Sequence, residues 1–300
     1  MSIYSQISSN KQKTFLIFAL FIVLLSGFFY IIGAYYGDAN GYLVLGLIIS
    51  SVSSVFSYFF SDKLVLFSVG AVPANKEEHF NFYTAGENMA LAAGIPMPAL
   101  YVIPEAAPNA FATGRDPKHA VVCATQGLLD MMDRGELEGV VAHELSHIKN
   151  YDMLVMTVVT VLVGTVSLVA DWILRSMWWG NRGSRDDNNN ENRNPVLFVL
   201  LLVALVIAPL TATLIQLAIS RKREYLADAD GALLTRRPAS LASALTKIGG
   251  FPTSMEHATT ATAHLFISNP FKKGKKGDWF VSLFSTHPPI EERIRLLREM

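Results

Sequence analysis

Two histidines four residues apart flank a glutamate in the run His143-Glu144-Leu145-Ser146-His147. On a helix, positions i and i+4 share a face, so both imidazoles can converge on one ion. Zinc takes neutral histidine nitrogens at about 2.0–2.1 Å, and a catalytic site leaves one position open for water. The ion brings the pKa of that water from about 15.7 toward 7, so that Glu144 can serve as its base near neutral pH. The chemistry these residues suggest is metal-assisted hydrolysis. Asp133 followed by Glu136 has the form of an acidic capping box, which starts a helix, and Val140, Val141, Ala142 and Leu145 supply its apolar flank. That helix is expected to continue through Ile148 into the next apolar segment and so hold the metal near a membrane surface.

A third ligand is needed. In the run from Ser220 to Asp228, Glu224 and Asp228 are four apart and share a helix face. Glu224 is the candidate ligand, and Asp228 the candidate partner that orients a histidine through its other ring nitrogen. Arg221, Lys222 and Arg223 would by themselves suggest an ordinary charged juxtamembrane stretch. The pentapeptide could likewise arise by chance on a solvated face. Against chance stands its place on a capped helix leading into a membrane, where His and Glu are expensive unless used.

The elements that must position these residues are set by composition. Hydrophobic residues make up 51% of the 300 and charged residues 17%, whereas soluble domains carry about 25% charged residues. Mean hydropathy is +0.33, and the apolar residues are gathered into long runs. Thr14–Tyr36 and Gly41–Phe60 carry no charge and are separated by Gly37-Asp38-Ala39-Asn40. Met153–Ala170 is a third run, followed by Trp172, Trp178 and Trp179. Val196–Ile219 is a fourth, with Pro209 predicting a kink. Each is long enough to cross a hydrocarbon core of about 30 Å as a helix. The first reads as a retained anchor, since it exceeds the apolar core of a cleaved signal, about 7–15 residues.

Lys11, Lys13, Lys63 and Arg221–Arg223 flank the run ends on one side, which fits both termini in the cytosol. The arginines between runs three and four are the feature that fits this least well. The chain thus divides into a transmembrane hairpin (1–70), a first catalytic block (71–151), a second hairpin (152–220) and a second catalytic block (221–300). The expected fold is mainly α: four transmembrane helices plus a cytosolic α+β zincin-like domain with a small β-sheet. Within the first block Glu77–Ala93 is expected to be a helix stopped by Gly94. Ala99–Ile103, His119–Ala124 and Pro108–Gly114 are expected to be extended. The basic loop at Lys272, Lys273, Lys275 and Lys276 reads as a solvated turn, with anionic headgroups the functional alternative.

Zero net charge gives no electrostatic reason for nucleic acid. The single cysteine, Cys123, excludes an internal disulfide and a cysteine-rich zinc knuckle, so His and carboxylates must make any metal site. Cys123 is expected to pack in the sheet.

On these residues the chain resembles the HtpX-like membrane zinc metallopeptidases, relatives of the CAAX prenyl proteases. The resemblance spans the whole chain. It is carried by the two N-terminal runs, Pro108-Asn109-Ala110-Phe111-Ala112-Thr113-Gly114, the His143–His147 motif, Ser220–Asp228 and Thr286-His287-Pro288-Pro289. It implies one zinc ion per chain held by His143, His147 and Glu224, with Asp228 supporting the site. It implies that Asn109, Ala110, Phe111 and Ala112 form an edge strand pairing with an extended substrate, a mode that open strand edges allow. It also implies that His287, and Asn109 with it, stabilise the oxyanion. Arg293 is expected to hold the C-terminal segment in place.

The resemblance implies an endopeptidase of the cytoplasmic (inner) membrane acting on misfolded membrane proteins, with protein substrates, the lipid bilayer and other quality-control proteases as partners. A CAAX-type processing protease is the nearest alternative, and a membrane scaffold with a structural metal is the alternative from another class. A diiron membrane hydroxylase fits less well, because seven histidines in this arrangement do not supply its His boxes.

Overall fold

The computed structural model describes residues 3–180, 221–259, 261–271 and 288–300. The fourth apolar run, the loop before it, the basic loop and His287 lie outside the described residues.

Two long helices, α1 (Ile3–Tyr36) and α2 (Ala39–Ser68), form a hairpin. Its turn is fixed by Asp38, whose Oδ1 accepts the Gly41 N–H at 2.9 Å and so caps α2. A third long helix, α6 (Asp152–Gly180), packs on both. All three are long and apolar enough to cross a membrane, over Ile7–Ala34, Ala39–Ser68 and Asp152–Val169. Within the apolar window of α6, 67% is buried in the protein, against 22% for α2. Thus α6 is central, and α2 turns Val44, Ile48, Val52, Val55 and Phe59 outward as a continuous apolar face suited to lipid.

The inner face of α2 carries small residues, Gly46, Ser50, Ser54, Ser57 and Ser61, all buried. Small side chains let helix backbones approach closely in a membrane. Their hydroxyls stay satisfied: Ser50 and Ser54 donate back to carbonyls four residues earlier, and Ser57 donates to the Val158 carbonyl of α6. Phe21, Leu25, Phe28 and Phe29 of α1 close on Val155, Val159, Leu162 and Val166 of α6.

The rest is a four-stranded mixed sheet with helices. Strands β1 (Val72–Pro73), β2 (Ala99–Ile103), β3 (Ala110–Gly114) and β4 (Ala120–Thr125) lie in the order β1-β2-β4-β3. β2 and β4 are parallel, with Tyr101 opposite Cys123, while β1–β2 and β3–β4 are antiparallel. Alternation sends the two faces of the sheet to two cores. Leu100, Val102, Ala112 and Val122 face the helices α3 (Phe80–Ala93), α5 (Arg134–Lys149) and α8 (Pro238–Gly250). Ile103, Phe111, Val121 and Cys123 face the end of α2, Met156 of α6 and the segment through Phe266. The sheet therefore joins the long apolar helices to the rest of the described chain, and the Thr113 and Thr157 hydroxyls, 3.0 Å apart, fasten β3 to α6.

The three extended stretches fall as expected, and β1 adds a strand that two residues could not announce. Helix α3 begins at Phe80 rather than Glu77, because Asn75 Oδ1 accepts from the amides of Glu77 and Glu78 and folds that stretch into turns. It ends as anticipated at Gly94, whose φ of 67° is left-handed. A larger correction concerns α5 and α6, which do not form one continuous helix. The chain breaks at Asn150 and Tyr151, and Tyr151 sits at φ 60°. Short helices α4 (Gln126–Met131), α7 (Arg221–Thr235) and α9 (Ile290–Arg298) complete the described fold.

Candidate metal centre

The start of α5 is built as its sequence suggests. Asp133 Oδ1 accepts the Glu136 N–H at 2.8 Å, and Glu136 Oε2 accepts the Asp133 N–H at 2.9 Å, closing a capping box. Glu136 is also bonded by Lys247 and Ser243 of α8, both at 2.6 Å. Burial alone would raise its carboxyl, but these donors and the Asp133 amide outweigh it and hold it below the ordinary value.

Near the other end of α5, His143 and His147 turn their Nε2 atoms toward each other, 3.2 Å apart, with the rings close to perpendicular at 88°. α7 packs across α5 and brings Glu224 onto the pair. Glu224 Oε1 lies 3.5 Å from His147 Nε2, and Oε2 lies 3.9 Å from His143 Nε2. The approach is close because α7 carries Gly231 where it crosses α5: a Cβ there would meet the His143 backbone nitrogen at 3.2 Å.

One ligand atom from each of His143, His147 and Glu224 falls within 4.8 Å of the others, and all three residues are buried. Four donors around zinc at about 2.0–2.1 Å sit roughly 3.3 Å from one another. The observed separations bracket that spacing, and two imidazoles with one carboxylate are a donor set zinc accepts. The residues fit the ion.

Each histidine is backed by an aspartate at its other nitrogen. Asp228 Oδ1 lies 3.0 Å from His143 Nδ1, and Asp152 Oδ2 lies 3.2 Å from His147 Nδ1. Asp152 reaches His147 because the break at Tyr151 turns the start of α6 back toward the end of α5. Asp228 is in turn clamped by Arg293 of α9, which also donates to the Ile267 carbonyl at 2.8 Å.

The electrostatics follow from this packing. Burial favours a neutral His143, and the Arg293 and His147 charges add to that, so its imidazole titrates below the ordinary value despite Asp228. Burial acts the same way on His147, but Asp152, Glu224 and Glu144 surround it and push it up to about 9. Burial raises Glu144 to about 7, with the Glu224 charge adding to the effect, while the His147 and Arg293 charges pull the other way. Burial would also raise Asp228, but Arg293 dominates and holds it down at about 2.

The other expected residues are distributed as follows. β3 is an edge strand, and one of its outward backbone groups is engaged by the chain itself: the Ala110 carbonyl accepts the Ile267 N–H at 2.8 Å. The Asn109 carboxamide holds the segment beside β3, with Nδ2 donating to the Ser268 carbonyl at 2.9 Å and Oδ1 accepting the Ala110 N–H at 3.1 Å. Phe111 turns away from the centre and meets Phe266 edge-on, 5.1 Å between ring centres. Cys123 is buried in the sheet, where burial raises its thiol.

Spacing alone does not single out Asp152, and it gives Arg293 no partner. One signal was available for Asp152: an acidic residue opening an apolar run five places after a metal-site histidine is costly unless bonded. For Arg293 no local signal exists.

Residues 80–300 match the family described as Peptidase family M48. The chain is 48% identical to a protein named Protease HtpX homolog from Thermoanaerobacter pseudethanolicus, covering 100% of this chain and 98% of that one. It is 46% identical to the Protease HtpX homolog of Tropheryma whipplei strain Twist, covering 99% and 98%, and 44% identical to that of Pyrococcus furiosus, covering 96% and 95%. Among solved structures, the crystal structure of S. mikatae Ste24p is similar at a TM-score of 0.49 and 18% identity, covering 98% of this chain and 67% of that chain.

Proposed function

The chain belongs to peptidase family M48, and on that premise we propose that it is a membrane-bound zinc endopeptidase whose ligands are His143, His147 and Glu224. The observation that carries this reading is the convergence of two imidazoles and one carboxylate within 4.8 Å, all buried, with Glu144 buried beside His143 on the same helix. When bound, zinc would polarise a peptide carbonyl and lower the pKa of a water at its open position.

The chain's own residues supply the rest. Glu144 takes the proton from the attacking water onto a carboxylate oxygen and delivers it to the amide nitrogen as the C–N bond breaks. Burial and the neighbouring Glu224 charge favour the protonated form of this carboxyl, and a cation beside it acts in the opposite sense. Asp228 and Asp152 fix the ring orientation of His143 and His147 and keep each Nε2 available for the ion. A substrate strand adds to β3 through the Ala110 carbonyl and the Ala112 N–H, taking the place that Ile267 holds at the Ala110 carbonyl. For the oxyanion, we assign His287 together with the Asn109 Nδ2 group, which besides Ser268 meets the Met255 sulfur at 3.5 Å.

The distribution of basic residues along the bundle supports an orientation. α1 begins, α2 ends and α6 begins at the end where the sheet and α5 sit, and Lys11, Lys13, Lys63 and Arg221–Arg223 gather there. That charge bias supports a soluble part in the cytosol, with Val196–Ile219 as a fourth span and the inner membrane as its place. Misfolded membrane proteins are the proposed substrates.

The test is zinc content paired with cleavage of unfolded casein by detergent-purified protein. One zinc per chain, with activity lost to a chelator and restored by zinc, is expected. Cleavage that survives complete metal removal would overturn the reading.

A further inference from the structure

The His147 side of the centre is completed by an element that carries no ligand. Asp152 bonds His147 through Oδ2; its other oxygen, Oδ1, accepts from Asn10 Nδ2 at 2.8 Å and from Arg223 Nη1 at 3.0 Å. Asn10 lies on α1, 142 positions away in sequence. It also donates to the Asn150 carbonyl at 2.8 Å, at the break between α5 and α6, and its own Oδ1 accepts from Arg223 at 3.3 Å. Asn10 and Asp152 are each 3% exposed. Beside them the Lys11 ammonium sits 4.6 Å over the Tyr151 ring, a second contact between α1 and the same break.

These bonds act in one direction. Two donors on Oδ1 fix the rotation of the Asp152 carboxylate and leave Oδ2 for the imidazole. A carboxylate at Nδ1 selects the tautomer whose Nε2 lone pair points at the ion and raises that nitrogen's basicity. We propose that Asn10 is a positioning residue of the metal centre: through Asp152 it orients His147, so the docking of α1 at its N-terminal turns sets how tightly the site holds its metal. α1 is then more than an anchor. The inference rests on the metal reading above and adds a residue remote from the ligand motifs.

A double-mutant cycle on the full chain tests it, with zinc affinity read by competition against a chromophoric chelator. Asp152→Asn is expected to weaken zinc binding about 10–100-fold, and Asn10→Ala about 3–10-fold, as for residues behind a metal ligand. In the Asp152→Asn background, Asn10→Ala is expected to change affinity less than about twofold, since its route to the metal is already cut. Ser26→Ala, at the α1–α2 contact with Ser50, should bind zinc as the parent does. Parent affinity in Asn10→Ala, or an equal loss in both backgrounds, would overturn the proposal. Should Asn10→Ala not accumulate as folded protein, Asn10→Ser carries the same cycle with the same two outcomes. A parent chain that binds no zinc would instead sink the metal reading itself, which separates the two failures.

Discussion

Arg293 meets Asp228 through two hydrogen bonds, Nε to Oδ2 at 2.8 Å and Nη2 to Oδ1 at 2.7 Å, with both side chains buried. The paired fork is the geometry in which guanidinium and carboxylate interact best. It places a residue of the last helix directly behind His143, and Arg293 Nη1 also holds the Ile267 carbonyl of the segment beside β3. Removing the guanidinium leaves a buried carboxylate without its partner. Arg293→Ala is therefore expected to destabilise the chain by about 3–5 kcal/mol. Thermal or denaturant unfolding in detergent checks this, and an unchanged midpoint would refute the assigned role.

Glu144→Gln keeps the size of the side chain and removes its ability to take a proton. Zinc content and thermal midpoint should stay close to the parent's, while kcat on casein falls by about 10²–10⁴. A variant that still cleaves at the parent rate would remove Glu144 from the reaction.

The crossing of α7 over α5 tolerates little at Gly231. A Cβ there sits 3.2 Å from the His143 backbone nitrogen, so a branched side chain must push the helices apart. Gly231→Val is expected to move Glu224 off the histidines and to lower zinc retained after dialysis. Metal analysis of the folded variant is the check, and full occupancy would show that the helices can shift without opening the site.

The Glu136 network predicts a pH effect away from the metal. Lys247, Ser243 and the Asp133 amide hold its carboxyl below the ordinary value. A depressed carboxyl contributes stability that is fully present above its unfolded value, about 4.3, and is lost as pH falls through the lower folded value. The thermal midpoint of the parent should exceed that of Glu136→Gln at neutral pH, and the gap should narrow toward acid. A gap independent of pH would remove the linkage.

Asn109 fastens the segment at Ser268 to β3. Asn109→Ala removes the bonds to the Ser268 carbonyl and to the Ala110 and Ser268 amides. Faster limited proteolysis between residues 254 and 271 is expected. Unaltered cleavage there would show that the Ile267–Ala110 backbone bond holds the segment without it.

Much of this protein is written in local spacing. Apolar runs long enough to cross a membrane, the shared face of His143 and His147, the pairing of Glu224 with Asp228 on α7, the capping box at Asp133 and the helix stop at Gly94 all depend on residues within a few positions of one another. Helix and strand periodicity makes such relationships readable without a fold. Tertiary structure alone decided which distant residues meet behind His143 and His147: Arg293 behind Asp228, and Asn10 with Arg223 behind Asp152. Those partners lie 65 to 142 positions apart, and no local period encodes the docking of one element on another. The break at Tyr151 belongs to the same class. A run of helix-forming residues predicts continuation, yet a left-handed residue there lets Asp152 reach His147, and the hydrogen bonds gained at that corner sustain a backbone conformation that spacing does not announce.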